Sequence, residues 1–206
     1  QFVSCLVTHQ VLMETNMIKR DDALQVLREF VGKDDLVVSV YQTCFDWLAL
    51  HPRDLNYVSV GAMGQASSHA LGLAIGSPDR QIIVLDGDGS LLMNLGSLVT
   101  IGENQPEKFL HLVFENGVYE VNGAHPIPGQ GRVNFANIAK AAGYSAAYSF
   151  DKFLDFRSQL PGLLKCKGPV MGVIKVVPGV KYPADYEYIH SHEARSKFRK
   201  ALKRGG

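Results

Sequence analysis

Two polar side chains in the sequence each follow an apolar run that is typical of a buried strand. Asp88 lies in a Gly-Asp-Gly-Ser turn directly after the run 81–86, and Asn116 follows the run 109–114. Because neighbouring parallel strands end at the same edge of a sheet, we expect a carboxylate and an amide oxygen to meet there. Such oxygens suit Mg²⁺ or Ca²⁺, and a glycine-rich turn before a helix offers backbone N–H groups to a phosphate. Together the two residues predict a site for a metal-bound phosphate, although Asp88 alone is equally typical of a helix cap.

The segments that must position these residues alternate between strand-like and helix-like patterns. Strands are predicted at 36–40, 57–60, 82–85, 109–114, 145–150 and 170–176, and helices at 20–31, 45–50, 66–75, 91–101, 135–142 and 153–164. This order predicts an α/β fold: a doubly wound, mostly parallel six-stranded sheet with helices on both faces. Ligands of such sheets bind outside the carboxyl ends of the strands, so the candidate loops are 39–43, 61–67, 87–90 and 115–131.

The composition excludes several other classes of function. The chain has 206 residues, 46% of them hydrophobic, which is ordinary for one soluble α/β domain, and a net charge of +1 gives no reason to expect nucleic acid or a membrane surface as partner. No apolar run is long enough to span a membrane. Cys5, Cys44 and Cys166 form no CxxC pair, which argues against a disulfide framework, a zinc site or an iron–sulfur cluster and favours a cytoplasmic location.

The Gly-Asp-Gly turn and the later Asn116 together resemble the fingerprint of thiamin diphosphate-dependent enzymes. This resemblance implies thiamin diphosphate and Mg²⁺ as cofactors. Asp88 and Asn116 would be side-chain ligands of the metal, and the backbone carbonyl of Val118 would be a third protein ligand. The family usually has Asn-Asn where this chain has Glu115-Asn116, and we treat Glu115 as a tolerated change that adds charge near the site.

The same resemblance assigns the neighbouring residues to the cofactor. Gly89 and Ser90 would contact the diphosphate at the start of the next helix, where free N–H groups favour anions. Gly87 would leave room for the close approach of the backbone. Tyr119, next to the third metal ligand, is also assigned to cofactor binding.

A second segment, which begins at Gly61-Ala62-Met63, is similar to the family loop that contacts both rings of the cofactor. Met63 would act in catalysis by wedging between the rings, so that removal of the thiazolium proton becomes intramolecular. The carbonyl of Gly61 would accept from the aminopyrimidine, with Ala62 beside it. The alternative for Met63 is an ordinary core methionine.

Two further groups are assigned by their position in the family. Tyr41, Gln42 and Thr43, at the end of the first predicted strand, would add contacts to the diphosphate, although Thr43 could equally be a helix N-cap. Asn122 and His125 lie in the long loop after Asn116 and would contact the substrate as catalytic residues. The alternative for both is an exposed, solvated side chain.

The resemblance is strongest to the phosphonopyruvate and sulfopyruvate decarboxylases, and it implies a carbon–carbon lyase that acts on a 2-oxo acid. Residues 1–16 are then a lead segment of uncertain origin, 17–180 the diphosphate-binding domain and 181–206 a C-terminal docking tail. The activating Glu of the family belongs to a pyrimidine-binding domain, so a partner subunit is expected to supply it in a hetero-oligomer of at least α2β2. The alternatives are a thiamin-dependent carboligase and a non-catalytic regulatory or assembly subunit.

Overall fold

The core of the fold is a parallel sheet of seven strands, seen in a computed structural model that describes residues 17–59, 63–177 and 182–204. The strands in chain order are β1 (Ile18–Lys19), β2 (Leu36–Ser39), β3 (Asn56–Val58), β4 (Ile82–Gly87), β5 (Phe109–Glu115), β6 (Val118–Tyr119), β7 (His125–Pro126), β8 (Ala146–Phe150) and β9 (Val170–Val177). The order in the sheet is β3-β2-β4-β5-β9, and β8 and β1 pair with successive parts of the outer side of β9. The remaining two strands, β6 and β7, form a separate antiparallel ribbon.

Helices cover both faces of this sheet. They are α1 (Arg20–Phe30), α2 (Tyr41–Leu50), α3 (Ala66–Gly76), α4 (Asp88–Leu92), α5 (Gly96–Asn104), α6 (Phe135–Ala141), α7 (Phe153–Lys165), α8 (Tyr186–His190) and α9 (His192–Arg204). Successive strand residues point to opposite faces, so Val38 packs in one core with α3, α5 and α6, whereas Val37 packs in the other with α1, α2 and α7. The predicted doubly wound architecture is confirmed, and the two-residue β1 adds a seventh strand to the six predicted.

Two of the predicted helices differ from those observed. The helix predicted at 45–50 begins earlier, at Tyr41, directly after the N-cap residue Val40, and Tyr41 itself has a left-handed backbone with φ of 46°. The helix predicted at 91–101 is split into α4 and α5. At the break the Asn94 amide donates to the carbonyl oxygen of Gly64, and the Ser97 hydroxyl donates to the carbonyl oxygen of Asn94. These polar side chains offer the backbone an alternative to continuous helical bonding.

The C-terminal tail packs against the edge of the sheet at β3. Phe198 of α9 is buried and lies edge-on to Tyr57, with ring centroids 5.1 Å apart. Tyr186 of α8 packs in the same way on Phe45 of α2 at 5.0 Å. Within the described ranges, none of the helices combines the length and the apolar character needed to cross a membrane.

A change in the direction of the connections creates the crevice that the sequence predicts. From β2 the chain passes through α2 to β3 on one side, and then returns through α3 to β4 on the other side. The carboxyl ends of β2, β4 and β5 therefore lie side by side at this switch point, which is where ligands of open α/β sheets bind.

Candidate functional site

A pocket that is open to solvent lies at the carboxyl ends of these three strands. Many of the predicted site residues line it: Tyr41, Gln42, Thr43, Met63, Gly87, Asp88, Gly89, Ser90, Asn116, Val118 and Tyr119. Five residues that the sequence did not single out line it as well, three of them within the candidate loops 39–43 and 115–131: Arg20, Val40, Phe114, Glu120 and Val121. Gly61 and Ala62 lie outside the described residues, as does the lead segment 1–16.

Asp88 is a nearly inaccessible carboxylate at the end of β4, with 2% of its surface exposed. Its Oδ1 accepts from the N–H of Gly89 and its Oδ2 from the N–H of Gly117, each at 2.7 Å. Burial raises the pKa of the Asp88 carboxyl, and the backbone N–H groups offset this only in part. A cation bound beside Asp88 would supply the charge that favours its ionised form.

Asn116 follows β5 and turns its two amide ends in different directions. Its Oδ1 accepts from the N–H of Val118 at 3.0 Å, and its Nδ2 donates to Oε2 of Glu120 at 3.0 Å. A carbonyl oxygen has a second lone pair, so Oδ1 keeps capacity for another partner.

The donor chemistry of this corner fits a magnesium ion bound with a diphosphate. A carboxylate, an amide oxygen and a backbone carbonyl are the hard oxygen ligands that Mg²⁺ takes, and Mg²⁺ usually completes its octahedron with substrate phosphates and water. Within the described residues no group of three or more His, Cys, Asp or Glu side chains forms a metal cage. These oxygens therefore suit a metal ion whose other coordination positions are filled by an anionic ligand and water.

Three glycines shape the wall of the pocket in different ways. Gly117 has φ of +77°, and a Cβ there would lie 2.7 Å from the Gln130 amide nitrogen, so the turn that presents its N–H to Asp88 needs glycine. A Cβ on Gly89 would lie 2.6 Å from Cδ1 of Tyr119, so that ring packs directly against the backbone. A Cβ on Gly87, in contrast, would meet nothing within 4 Å and would stand in open space beside the pocket.

The loop that carries Met63 is anchored to the next segment of the site. The N–H of Gly64 donates to Oγ of Ser90 at 2.9 Å, and the Asn94 amide donates to the carbonyl oxygen of Gly64 at 3.0 Å. Gly64 has φ of +85° and leaves no room for a side chain against Asn94. Met63 is partly exposed and lines the pocket, so the structure places it at the site and not in the core.

The start of α2 also lines the pocket. The Thr43 hydroxyl lies within hydrogen-bond distance of the carbonyl oxygens of Val40 (2.8 Å) and Leu85 (2.9 Å), and its single proton can be donated to one of them at a time. The N-cap alternative for Thr43 is wrong, because α2 begins after Val40 with no side-chain cap. The left-handed backbone of Tyr41 is a strained conformation for a bulky residue, and such strain is common at functional sites.

A buried ion-pair network beside the pocket was not predicted from the sequence. Nε of Arg20 lies 2.6 Å from Oδ2 of Asp46, and its two terminal nitrogens donate to the two oxygens of Glu120 at 2.6 and 3.2 Å. Burial opposes the charge of the Arg20 guanidinium, but bonds to Glu120 and Asp46 outweigh it and its pKa lies above the ordinary value. The one signal in the sequence is Asp46 itself, a carboxylate between Phe45 and Trp47 in an otherwise apolar run.

The residues that line the pocket do not include the predicted Glu115, Asn122 and His125. Burial raises the pKa of the Glu115 carboxyl and the charge of Asp88 raises it further, whereas Lys175, its register partner on β9, lowers it. Asn122 and His125 are exposed and are not among the residues that line the pocket, so the structure does not bring them to the site. The ribbon turns through a left-handed Ala124, whose N–H donates to the carbonyl oxygen of Tyr119.

Comparison with known proteins decides the family of this chain. Residues 41–174 match the family described as thiamine pyrophosphate enzyme, C-terminal TPP binding domain. The chain belongs to this family. Thiamine pyrophosphate is another name for thiamin diphosphate, so the resemblance seen in the sequence is confirmed.

The relatives of this thiamine pyrophosphate-binding domain include decarboxylases. It is 32% identical over 175 residues to phosphonopyruvate decarboxylase of Streptomyces hygroscopicus, covering 85% of this chain and 43% of that protein. It is 34% identical over 153 residues to sulfopyruvate decarboxylase subunit beta of Methanocaldococcus jannaschii, covering 72% of this chain and 80% of that subunit. The chain thus spans less than half of the first relative and most of the second.

A solved structure supports the fold of the domain. Benzoylformate decarboxylase from Polynucleobacter necessarius superposes with a TM-score of 0.66 at 20% identity, covering 81% of this chain and 34% of that one. The thiamine pyrophosphate-binding domain described here therefore shares the architecture of one part of that larger enzyme.

Proposed function

We propose that this chain is the diphosphate- and magnesium-binding part of a thiamine pyrophosphate-dependent decarboxylase that acts on a phosphonopyruvate- or sulfopyruvate-like 2-oxo acid. The observation that carries the proposal is the meeting of Asp88, Asn116 and Val118 at one pocket beside neighbouring strand ends. Support for the reaction comes from the names of the two decarboxylase relatives.

In this proposal the oxygens of Asp88, Asn116 and Val118 hold Mg²⁺, and the metal holds the diphosphate. Gly87, Gly89 and the Ser90 backbone then form the floor on which the diphosphate rests. Because α4 has only five residues, its dipole is short and single N–H groups must carry the contact. Tyr41, Gln42 and Thr43 of α2 line the same pocket, as does Tyr119.

Met63 is proposed to support the bent shape of the bound cofactor. The bonds from Gly64 to Ser90 and Asn94 hold this loop to the segment that contacts the diphosphate, so both parts of the cofactor would be positioned by one connected unit. Gly61 and Ala62 belong to the same proposed contact. The bound cofactor supplies the electron sink for loss of CO₂, and the protein supplies orientation and charge.

We further propose that a pyrimidine-binding half, including its activating Glu, comes from outside this chain and forms a hetero-oligomer of at least α2β2 with it. The support is the coverage of the relatives, since the chain corresponds to most of a subunit named beta and to less than half of a longer decarboxylase. Contact of Asn122 and His125 with substrate remains a prediction, and both lie on the exposed ribbon where such a partner or a substrate can reach them.

The test is to co-express the chain with the product of the neighbouring reading frame and to titrate the purified complex with thiamine pyrophosphate and Mg²⁺. We expect saturable binding that EDTA abolishes, and release of CO₂ from phosphonopyruvate or sulfopyruvate in preference to pyruvate. Parallel reactions with an acceptor aldehyde would detect carboligation. Binding without CO₂ release from any of these acids would refute the decarboxylase assignment.

Asp88→Ala should abolish the magnesium-dependent binding of the cofactor. Because it also leaves the N–H groups of Gly89 and Gly117 without their acceptor, it should lower the melting temperature of a domain that still folds. Asp34→Ala is the matched control, because the Asp34 side chain is 65% exposed in the turn after α1 and does not line the pocket. Equal cofactor affinity in the two variants would show that the metal is not held by Asp88.

A further inference from the structure

The orientation of the Asn116 side-chain amide determines whether this residue can bind a metal ion. Only the Oδ1 end of an asparagine can ligate a cation, since the Nδ2 end is a donor with no lone pair to offer. Rotation of the amide by half a turn exchanges the two ends with little change in shape. A group beside Asn116 must therefore hold the amide in the orientation in which Oδ1 faces the metal.

Glu120 lies where it can fix the orientation of this amide. Nδ2 of Asn116 donates to Oε2 of Glu120 at 3.0 Å. An ionised carboxylate accepts and cannot donate, so it favours the nitrogen end of the amide on its own side. Oδ1 is thereby turned the other way, where it accepts from the N–H of Val118 at 3.0 Å.

Arg20 in turn fixes the position of Glu120. Its guanidinium binds both oxygens of that carboxylate, at 2.6 and 3.2 Å, which is the two-pronged geometry that gives Arg–carboxylate pairs their orientation. Asp46 holds the Nε of Arg20 at 2.6 Å, and Gln42 donates to the other oxygen of Asp46 at 2.8 Å. Arg20 and Asp46 are buried, with 3% and 1% of their surfaces exposed, so the network is rigid and anchored in α1 and α2.

We propose that Arg20 and Glu120 are positioning residues that hold the Asn116 amide with its Oδ1 toward the magnesium ion. The inference rests on the proposed function of Asp88, Asn116 and Val118 as the metal site. Groups that orient a metal ligand from behind typically change metal affinity by 10- to 100-fold when they are altered. These hydrogen bonds connect Arg20, at the start of α1, through Glu120 to Asn116, which lies about a hundred residues away in sequence.

The test is a double-mutant cycle between Glu120→Gln and Asn116→Asp, measured as Mn²⁺ affinity by electron paramagnetic resonance on the complex with thiamine pyrophosphate. A glutamine can donate to Oδ1 of Asn116 and so permits the wrong orientation, and we expect Glu120→Gln to weaken Mn²⁺ binding by about 10- to 100-fold. The carboxylate of an aspartate has two equivalent oxygens, so it presents an oxygen to the metal in either orientation. In the Asn116→Asp background Glu120→Gln has no amide orientation to disturb, and it relieves the repulsion between two neighbouring carboxylates. The loss of Mn²⁺ affinity by about 10- to 100-fold should therefore not appear in that background.

Further variants distinguish a change in the orientation of the Asn116 amide from a loss of stability of the fold. Arg20→Lys keeps the charge but not the two-pronged contact, and it should weaken Mn²⁺ binding in the Asn116 background and not in the Asn116→Asp background. Glu29→Gln is the control, because it breaks an exposed ion pair with Arg157 away from the pocket and should leave Mn²⁺ affinity unchanged. Melting temperatures measured without metal report the fold of every variant.

Two outcomes would overturn the inference in distinguishable ways. Equal losses from Glu120→Gln in both backgrounds would show that Glu120 acts through charge or stability alone, while the metal site itself stands. Absence of Mn²⁺ binding by the wild-type complex with thiamine pyrophosphate would instead refute the proposed function, and the inference would fall with it.

Discussion

Gly87→Ala should separate cofactor binding from the stability of the fold. Gly87 ends β4 with φ of −100° and ψ of 154°, an extended backbone that alanine adopts without strain. A Cβ added there meets nothing within 4 Å and stands in the open space beside the pocket. In the cofactor-free protein the substitution is therefore harmless, but in the complex the methyl group would occupy space that we assign to the diphosphate.

The size of both effects follows from this geometry. Replacing glycine at a compatible position restricts the unfolded chain and stabilises a protein by about 0.4–1 kcal/mol, so the melting temperature of the free domain should stay level or rise by roughly 1–4 °C. A methyl group forced against a tightly held ligand costs about 1–3 kcal/mol. At about 1.4 kcal/mol for each factor of ten, thiamine pyrophosphate should bind roughly 5- to 150-fold more weakly.

The assay is calorimetric titration of thiamine pyrophosphate in excess Mg²⁺, with melting temperatures measured before the cofactor is added. Gly72→Ala is the matched control, because a Cβ on that exposed glycine of α3 also meets nothing within 4 Å but lies outside the pocket. It should gain similar stability with unchanged affinity. Wild-type affinity in Gly87→Ala would refute our placement of the diphosphate, and a fall of several degrees in its melting temperature would refute the claim that the site is open.

Three other substitutions test the supports of the pocket by melting temperature and cofactor titration. Gly89→Ala should cost about 1–3 kcal/mol of stability and weaken cofactor binding, because its Cβ would lie 2.6 Å from the Tyr119 ring; a fully stable variant would contradict this packing. Ser90→Ala leaves the buried N–H of Gly64 without its acceptor, which should cost about 1–3 kcal/mol and loosen the Met63 loop, so unchanged affinity would argue against that coupling. Phe198→Ala should cost about 3 kcal/mol and expose the tail to proteolysis with no change in affinity, and a protected tail would show that other contacts hold it.

The main features of the fold, and the meeting of Asp88 and Asn116 at one pocket, were predictable because their signals are local. Strand residues such as Val37 and Val38 belong to opposite cores, and the apolar runs that result are visible in the sequence. Asp88 and Asn116 each directly follow such a run, so the register of β4 and β5 was enough to bring them to the same edge. Helix ends were less predictable, since α2 begins after Val40, which has no side chain that could cap the helix and so gives no N-cap signal in the sequence.

The sequence was enough to predict the order of strands and helices along the chain, the glycine turn, the candidate ligands and the family, since each of these signals depends on neighbours within a few residues. The side chains that surround Asp88 and Asn116 depend instead on how distant segments of the chain pack together. Arg20 reaches Asp46 and Glu120 across 26 and 100 residues of chain, and such contacts arise from packing that no local pattern encodes. In our proposal this packing determines which end of the Asn116 amide faces the metal.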